Sequence, residues 1–551
     1  MQAEISNLVS DIIKSLYDLE FKVDIIKSDL KFGDFSTNVA LKLASSLRKS
    51  PLDISNEIAS SVKNSNSNNF RDVNITAPGF INFVLNDNQL LNSQYLQKKD
   101  FYSNKRIVIE TNNPNPFKSM HIGHALNAVI GDTLANFLEF GGGQVHRVSY
   151  HGDIGIHVGK SMWAILNYIN GDLDKLDQIP VIDRSKFLSS MYVEGAKAYD
   201  ENPEAKEEII NLSNQSYLPE NELFKNAYLI CRGWSFDKID SILSKLGSKP
   251  IERRYLESES EPIGREIVKS NLNKYFFESD SAIIFKGEDY GLFTTVFVSS
   301  SGRGLYAARD MGLIKLKQND FSPDKSFVVT AIEQKDYFKV AIKASELIGI
   351  AKEGETENIT TGTVKLSTGK MSSRSGNVID IDWLIDSIRN EFKKFNEQVD
   401  SELVSGALRY QLLKVRLGGD IVFDIEQSVS LQGNSGPYLM YSHARARSII
   451  KKVGVQPEEL SGNLSFDPKE RQLALKMYEY NSVLLDSTRQ LKPHSICNYL
   501  YELSQVFNSF YEVSPVLNSD RQNVRVILVN HYANILRHGL SLLGISAPDK
   551  M

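Results

Sequence analysis

The chain has 551 residues, of which 41% are hydrophobic and 24% charged, and its formal net charge at pH 7 is −5. These values exclude a disordered or fibrous protein and favour several globular domains, because one hydrophobic core rarely serves more than about 300 residues. They also argue against a general nucleic-acid binder, which carries positive charge. No run approaches the roughly 18 apolar residues of a membrane span. Two widely separated cysteines, Cys231 and Cys497, favour a reducing, cytoplasmic location.

The N-terminal residues, 1–88, are predicted to form a small α/β domain. Apolar residues at helical spacing in VALKLASSLRK and ISNEIASSVK predict helices, and the alternating pattern of NITAPGFINFVL predicts a strand. The polar stretch at 86–105 is typical of a linker.

From residue 106 the pattern predicts a parallel sheet. RIVIE is a strand, IGHALNAVIGDTLANFLEF has helical spacing, and VHRVSY is a second strand, which together make the strand–helix–strand unit of such a sheet. The strand-like runs FTTVFVSS and SFVVTAI fit an alternating α/β arrangement. We therefore predict one domain over 100–400, with a mainly helical, charged insertion at about 160–290. After about residue 385 nearly every segment has helical spacing, which predicts an α-helical domain over 401–551.

The stretch ETNNPNPFKSMHIGH, residues 110–124, places polar side chains where the first parallel strand gives way to its helix. Free backbone N–H groups and the positive end of the helix dipole suit this place to nucleotide phosphates. His121 and His124 share a face of the first helical turn, and Gly123 leaves room for their flat rings. Two imidazole donors can then stabilise charge on a phosphate. For an isolated H-x-G-H, however, the commoner explanation is a pair of capping or solvated histidines.

A second polar stretch, STGKMSSRSGNV at 367–378, follows the last predicted strand. Its lysine, arginine and hydroxyls can bind a polyphosphate, although alone it could equally be a flexible basic surface loop. Two glycine-rich stretches offer weaker alternatives. GDIGIHVGKS at 152–161 has the wrong glycine spacing for a P-loop, and GRGLYA at 302–307 matches a nicotinamide-binding pattern only weakly.

These two polar stretches resemble the two signatures of class I aminoacyl-tRNA synthetases: H-I-G-H at 121–124, opening a Rossmann helix, and K-M-S-S-R at 370–374. The surroundings resemble the arginyl-tRNA synthetase family in particular. Asn113-Pro114-Asn115 and Lys118 precede the first signature as they do in that family, and SGPYLMYSHARARSI and LLGISAPDKM are similar to its C-terminal domain. GDFSTNVALKLA and APGFINF resemble its N-terminal domain, so the resemblance covers essentially the whole chain.

The resemblance implies an α/β fold: a Rossmann-type parallel-sheet catalytic domain with a small N-terminal α/β domain that contacts tRNA and a C-terminal α-helical anticodon-binding bundle. It also implies an arginine–tRNA ligase. With Mg²⁺, ATP and L-arginine would form arginyl-adenylate, and arginine would pass to the 2′-hydroxyl of the terminal adenosine of tRNA(Arg). The implied partners are thus L-arginine, ATP and tRNA(Arg). No association with a membrane is expected, and the family's usual form is a monomer. A non-catalytic tRNA-binding paralogue and a class I synthetase for another amino acid remain as alternatives.

The resemblance carries site residues over position by position. The groups implied to stabilise charge in catalysis are His121, His124, Lys118, Lys370, Ser372 and Arg374. ATP contacts fall on the two histidines and on Gly123, Lys370 and Met371. The arginine contacts fall on acids, amides and a phenol that suit a guanidinium: Glu110, Asn115, Tyr306, Asp310 and Gln334. The tRNA contacts fall on Phe80 and Asn82 in the N-terminal domain and on Tyr438, Tyr511 and Met551 in the bundle.

Three positions depart from the family pattern. Ser373 replaces the second lysine of the later signature, which arginine enzymes commonly lack too, and Lys118 occupies the place thought to compensate. We therefore predict that Lys118 matters more for adenylation than Lys370. Leu126 stands where many members carry Arg, and His157 where many carry Gln, which leaves the ATP-ribose and tRNA-end contacts open.

Overall fold

The computed structural model describes residues 2–29, 31–65, 69–92, 100–367, 379–395, 397–454 and 464–551. The chain divides into two compact units. The first unit comprises Met1–Gln97, Arg445–Ser482 and Glu502–Ile535, and the second comprises Lys98–Ala444, Val483–Tyr501 and Leu536–Met551. Among the described residues, no helix is long and apolar enough to cross a membrane.

The first unit begins with a small α/β domain. Its elements are α1 (Gln2–Tyr17), β1 (Ile26–Lys27), β2 (Phe35–Thr37), α2 (Val39–Leu47), α3 (Pro51–Asn64), β3 (Phe70–Thr76), β4 (Phe80–Leu85) and α4 (Asp87–Asn92). The strands form an antiparallel sheet in the order β1-β2-β4-β3. Ile5, Val9 and Ile13, four residues apart on α1, pack in one core with α3 and β4.

The prediction of one strand over NITAPGFINFVL was wrong, because the run contains β3 and β4. Gly79 adopts a φ of +152° between the two strands, and a Cβ there would lie 2.8 Å from Cβ of Pro51. The chain therefore reverses at Pro78-Gly79 and the two halves of the run pair with each other. The predicted linker at 86–105 likewise contains the short helix α4.

The second unit contains the remaining strands. From residue 100 to residue 429 the elements are, in chain order, β5 (Arg106–Asn112), α5 (Ile122–Phe140), β6 (Gln144–His151), α6 (Ile156–Ile169), α7 (Asp174–Asp177), α8 (Arg184–Glu201), α9 (Pro203–Tyr217), α10 (Glu222–Lys245), β7 (Arg253–Leu256), α11 (Glu257–Ser270), β8 (Phe276–Ser279), β9 (Ala282–Phe285), β10 (Thr295–Val298), α12 (Tyr306–Phe321), β11 (Lys325–Ala331), α13 (Lys335–Ile348), β12 (Thr356–Thr361), β13 (Val364–Leu366), α14 (Ile381–Lys393), α15 (Ser401–Leu413), β14 (Ile421–Phe423) and α16 (Ile425–Val429).

A five-stranded parallel sheet in the order β12-β11-β5-β6-β7 forms the centre of this unit. Ile107, Val108 and Ile109 of β5 are completely buried, as expected for a parallel strand covered on both faces. The predicted βαβ unit is confirmed as β5-α5-β6, and SFVVTAI forms β11. FTTVFVSS contains β10, but this strand pairs with β9 in a separate antiparallel sheet, β10-β9-β8.

Residues 156–245, which we call the helical insertion, contain helices α6 and α8–α10, and these helices pack around a core of their own. Met162, Leu188, Phe224 and Trp234 are buried there, together with Phe117 from the loop after β5. The predicted insertion at 160–290 is longer than this helical segment, because it also takes in β7, an edge strand of the parallel sheet.

The C-terminal part is helical, as predicted. It contains α17 (Gly436–Val453), α18 (Pro468–Tyr478), α19 (Tyr480–Gln490), α20 (Pro493–Val513) and α21 (Gln522–Leu542). In the first unit, the completely buried carboxylate of Glu470 on α18 is held by Arg521 and by Arg525, whose Nε donates to it at 2.8 Å. Buried charges of this kind require such partners, so the pairs fix the packing of α18.

Within the second unit, Arg409 of α15 is a completely buried cation that joins four segments. Its guanidinium donates to Asp132 Oδ2 of α5 at 2.8 Å, to the Leu246 carbonyl after α10 at 3.0 Å and to the Leu543 carbonyl after α21 at 2.9 Å. Gly544 has a φ of +69°, and a Cβ there would lie 2.2 Å from Nη2 of Arg409. The arginine thus ties α5, which begins at the histidine motif, to the segment that follows α21.

Candidate active site

His121 and His124 form a reciprocal cap at the start of α5. His121 Nδ1 accepts a hydrogen bond from the Gly123 N–H at 3.1 Å, and His124 Nδ1 accepts one from the His121 N–H at 3.3 Å. The rings stack with centroids 3.7 Å apart. A Cβ on Gly123 would lie only 3.0 Å from the His121 ring, which explains the glycine. Because both Nδ1 atoms accept backbone hydrogens, each neutral ring carries its own hydrogen on Nε2.

The environment keeps both histidines neutral at physiological pH. Burial, followed by the charges of His121, His151 and Lys118, lowers the pKa of His124 to about 3. Burial and then the Lys118 ammonium lower the pKa of His121 below its usual range. The capping explanation and the phosphate-binding explanation are therefore compatible, since the cap occupies Nδ1 and leaves an Nε2–H donor on each ring.

The later signature falls outside the described residues, and with it Lys370, Met371, Ser372 and Arg374. The chain on its C-terminal side returns to the histidine motif. The Ile122 N–H donates to the Ile379 carbonyl at 2.9 Å, and the Ile381 N–H donates to the Met120 carbonyl at 3.3 Å. His121 and Asp380 also form an antiparallel bridge. Residues 379–381 thus lie beside the start of α5.

Glu110 lies at the end of the central strand β5 and is paired. Its Oε2 lies 2.7 Å from Lys317 Nζ of α12, and both side chains are only 2% exposed. Lys317 was missed from the sequence, although its spacing from Met311 and Ile314 places it on the buried face of α12. The pair neutralises a carboxylate that would otherwise be costly to bury.

Asp310, also on α12, has no comparable partner, because in the described part of the chain it forms no ion pair. Burial, followed by the negative charges of Glu110 and Glu257, raises the pKa of Asp310 to about 8, and Lys317 only partly offsets this. The phenol of Tyr337 on α13 is perturbed by the same carboxylate: its pKa is raised well above 10 by burial and then by Asp310. Asp310 is therefore a carboxyl group whose ionised form has no compensating ion pair among the described residues.

Tyr306 and Gln334 lie at the open side of this cluster. Tyr306 begins α12 and is 68% exposed, and its ring centroid lies 6.5 Å from that of Tyr337. Gln334 is exposed in the turn Ile332–Gln334 that follows β11. Because β5 and β11 are parallel neighbours, their carboxyl ends bring Glu110 and Gln334 to the same edge of the sheet.

Asn115 is oriented by the loop after β6. Its Oδ1 accepts the Gly152 N–H at 3.0 Å, and a Cβ on Gly152 would lie 2.9 Å from that oxygen. The amide oxygen is therefore used by the backbone, which leaves the NH₂ group of Asn115 as a donor. The same hypothetical Cβ would lie 3.3 Å from Glu257 Cδ, so Asn115 adjoins the acid cluster.

The sequence did not single out the interactions that hold this loop and the wall of the site. The completely buried Asp153 accepts hydrogen bonds from the Ser258 N–H at 2.9 Å, the Tyr228 hydroxyl at 2.8 Å and Arg232 Nη1 at 2.9 Å. Two of these donors lie on α10, so the helical insertion fixes the loop that orients Asn115.

Arg309 provides a second such anchor. Its Nη1 donates to Glu257 Oε2 at 2.7 Å, its Nη2 to the Tyr217 hydroxyl at 2.8 Å and its Nε to the Gly304 carbonyl at 3.1 Å. Glu257 and Tyr217 are far from Arg309 in sequence, and Gly304 lies in an irregular segment. No local sequence pattern therefore indicates these three contacts. Glu257 is thereby ion-paired, and Asp310 is the acid of this cluster that forms no ion pair among the described residues.

Two of the residues that differ from the family pattern, His157 and Leu126, lie in the described part of the chain. His157 Nε2 donates to the Gly152 carbonyl at 2.8 Å, and burial, followed by the Lys118 charge, lowers its pKa to about 4. From the start of α6 it therefore supports the loop that orients Asn115. Leu126 is 1% exposed on α5 and packs as an apolar core residue.

The residues that the resemblance assigned to tRNA differ in exposure. Asn82 is 2% exposed, and its Nδ2 donates to Thr76 Oγ1 at 2.9 Å, while Phe80 beside it is partly exposed. Tyr438 is 9% exposed. Tyr511 is partly exposed, with the Arg445 guanidinium 4.8 Å from its ring centre, and Met551 is 44% exposed.

Three protein families match consecutive parts of the chain. The arginyl tRNA synthetase N terminal domain matches residues 2–85, the family described as tRNA synthetases class I (R), catalytic domain, matches residues 86–411, and the DALR anticodon binding domain matches residues 439–551.

Curated relatives agree with these matches. The chain is 28% identical to the arginine–tRNA ligase of Frankia casuarinae, over 94% of this chain and 93% of the relative, and 30% identical to that of Borrelia turicatae, over 81% and 80%. Its fold is similar to that of the Thermus thermophilus arginyl-tRNA synthetase, with a TM-score of 0.77, 21% identity and complete coverage of both chains. The Plasmodium falciparum arginyl-tRNA synthetase gives a TM-score of 0.76 at 22% identity, covering 100% of this chain and 99% of the other.

Proposed function

Because this chain belongs to the arginyl-tRNA synthetase family and is an ATP-dependent arginine–tRNA ligase, we propose a role in that reaction for the groups described above. In the first step the carboxylate of L-arginine attacks the α-phosphate of ATP, forming arginyl-adenylate and releasing pyrophosphate. In the second, the 2′-hydroxyl of the terminal adenosine of tRNA(Arg) attacks the activated carbonyl and AMP leaves. Neither step needs a covalent bond to the chain, so its residues act by positioning and electrostatics.

Asp310 is the residue that selects the guanidinium of arginine. Glu110 and Glu257 are already paired with Lys317 and Arg309, at 2.7 Å each, whereas Asp310 has no ion pair in the described part of the chain. A guanidinium supplies the missing positive charge and planar donors, and Tyr306 and Gln334 line the open side. Asn115 directs its NH₂ donor toward the bound amino acid. Glu110 then shapes the site through its charge on Asp310.

His121 and His124 donate from Nε2 to the nucleotide phosphates, at the N-terminus of α5 where the helix dipole adds to the effect. Gly123 allows the nucleotide to approach the backbone. Lys118 contributes the positive charge, with Lys370 as the corresponding group of the later signature, beside Met371, Ser372 and Arg374. Mg²⁺ enters as part of the substrate Mg·ATP, since this ion prefers phosphate oxygens and water to a dedicated protein site.

The flanking domains recognise tRNA(Arg). Residues 1–88 contact the body of the tRNA through Phe80 and Asn82, and residues 401–551 read the anticodon loop through Tyr438, Tyr511 and Met551. Accessible aromatic rings suit unstacked bases, and Tyr511 with Arg445 over its ring is the most favourable of these candidates. The protein acts as a cytoplasmic monomer, in keeping with its family.

The observation that supports this proposal is the pairing of residues 379–381 with residues 120–122, since it brings the chain just beyond the later signature to the histidine motif. The test is ATP–pyrophosphate exchange with arginine, run with and without tRNA(Arg), with lysine and glutamine as control amino acids. We expect exchange with arginine alone, and a loss of roughly 10²- to 10³-fold on replacing either histidine with alanine.

Each outcome discriminates among the alternatives. Exchange supported by lysine or glutamine would contradict the assignment of Asp310 as the selecting residue. Full exchange after removal of both His121 and His124 would contradict their phosphate role. No exchange in the intact chain, with tRNA(Arg) still bound, would point to a non-catalytic paralogue.

A further inference from the structure

The segment before the histidine motif is anchored in the helical insertion. Phe117 adopts a left-handed φ of +65°, a conformation that is unfavourable for a bulky residue. Its backbone N–H donates to Ser235 Oγ of α10 at 3.0 Å, and its ring stacks on Tyr228 with centroids 5.7 Å apart. Packing in this core therefore maintains a turn that directs the next residue, Lys118, to the surface.

The next two residues contact helix α8. The Lys118 ammonium lies 5.1 Å from the centre of the Tyr192 ring, and the Ser119 and Ser189 hydroxyls form a hydrogen bond at 2.9 Å. Ser189 and Tyr192 are three residues apart and so lie on the same face of α8. Two independent contacts thus align this helix with the segment that carries the lysine.

The charge of the Lys118 ammonium reaches the histidines. Lys118 is exposed, and an exposed lysine side chain has many accessible rotamers. Nevertheless its charge acts on His121, His124 and His157, where it adds to the effect of burial in lowering each pKa. The Tyr192 ring lies against the ammonium while it occupies this position.

We propose that Tyr192, on the helical insertion, is a positioning residue for arginine activation, because its ring holds the Lys118 ammonium beside the histidine motif. The inference rests on the role proposed above for Lys118. The face of an aromatic ring attracts a cation through its quadrupole, so a phenylalanine serves nearly as well, whereas an aliphatic side chain of similar size does not. Helix α8 therefore contributes to catalysis without touching a substrate.

The test compares two tyrosines on one helix. Tyr199 also lies on α8, with Lys160 Nζ 4.3 Å from its ring centre, but two helical turns further along. ATP–pyrophosphate exchange is measured with tRNA(Arg) present for Tyr192→Leu, Tyr192→Phe and the matched control Tyr199→Leu. We expect Tyr192→Leu to lower kcat about two- to fivefold with the arginine KM unchanged, and the other two variants to match the parent.

A double-mutant cycle separates positioning from a structural effect. In a Lys118→Ala background, Tyr192→Leu should cause no further loss, because the ring then has no ammonium to hold. Parent-level exchange by Tyr192→Leu, a loss of the same size in the Lys118→Ala background, or equal impairment by Tyr192→Phe would each overturn the inference. Full exchange by Lys118→Ala alone would instead overturn the role of Lys118. Melting temperatures check folding, and Tyr192→Gln replaces Tyr192→Leu if the latter is destabilised.

Discussion

Arginine binding should release a proton from Asp310. With a pKa of about 8, roughly one Asp310 in ten is ionised at pH 7 in the ligand-free protein. The guanidinium binds the ionised form, so the apparent Kd for arginine should fall about tenfold from pH 6 to pH 7 and about fivefold from pH 7 to pH 8. The groups that set this value are Glu110, Glu257 and, with opposite sign, Lys317.

Isothermal titration calorimetry measures both consequences. Arginine is titrated at pH 6, 7 and 8, and at pH 7 in two buffers of different ionisation enthalpy, which should report about 0.9 proton released per arginine. Asp310→Asn is the matched control and should bind arginine weakly with no pH dependence. A Kd that is constant between pH 6 and pH 8 in the parent protein would refute the assignment of a protonated Asp310.

The same ionisation affects stability with a definite sign. The folded-state pKa of Asp310 lies above the ordinary aspartate value of 3.8, so between about pH 4 and pH 8 the folded protein binds the extra proton. Stability from this group therefore falls as pH rises, by at most about 1.4 kcal/mol per pH unit. Asp310→Asn should accordingly raise the melting temperature at pH 8 while weakening arginine binding. Such a gain in stability with a loss of binding is expected when a residue serves function at a cost in stability.

Other residues give shorter tests. Lys118→Ala should lose more ATP–pyrophosphate exchange than Lys370→Ala, and equal losses would contradict the compensating role of Lys118. Lys317→Met leaves the Glu110 carboxylate buried and unpaired, so we expect it to lower the free energy of unfolding by about 3–5 kcal/mol in denaturant titrations; adding Glu110→Gln should recover most of that loss, and no recovery would mean that the pair is not the cause. The ATP–pyrophosphate exchange rate of His124→Gln should have the same pH dependence between pH 6 and pH 8 as that of the parent protein. The pKa of His124 is about 3, so the ring is already neutral over this range.

The sequence predicted the central fold because its signals are local. RIVIE, the nineteen-residue helical pattern and VHRVSY became β5, α5 and β6, and the buried parallel strand is apolar on both faces as such strands are. FTTVFVSS shows the limit: the run is a strand, but a periodic pattern does not specify which strand it pairs with. In NITAPGFINFVL the Pro-Gly turn divided a pattern that reads as continuous.

The same distinction applies to the site. His121 and His124 could be related from their spacing, because a helix places residues i and i+3 on one face. The partners that give the acids their roles could not, since Lys317 and Glu110 are 207 residues apart in sequence, and Arg309 and Glu257 are 52 apart. Sequence reasoning therefore predicted which acids belong to the site, but not that one of them, Asp310, lacks an ion-pair partner in the described part of the chain.

The buried Arg409 has a consequence for the order in which the protein becomes active during synthesis. Asp132 and Thr133 lie on the helix that begins at the histidine motif, and the carbonyl of Leu543 that completes this network is 410 residues beyond Thr133. A nascent chain that has emerged only as far as Arg409 holds a buried guanidinium with part of its acceptors missing, which disfavours the packed state. The catalytic domain should therefore stay loosely packed around α5 until residues 543 and 544 have been synthesised and can pack against Arg409.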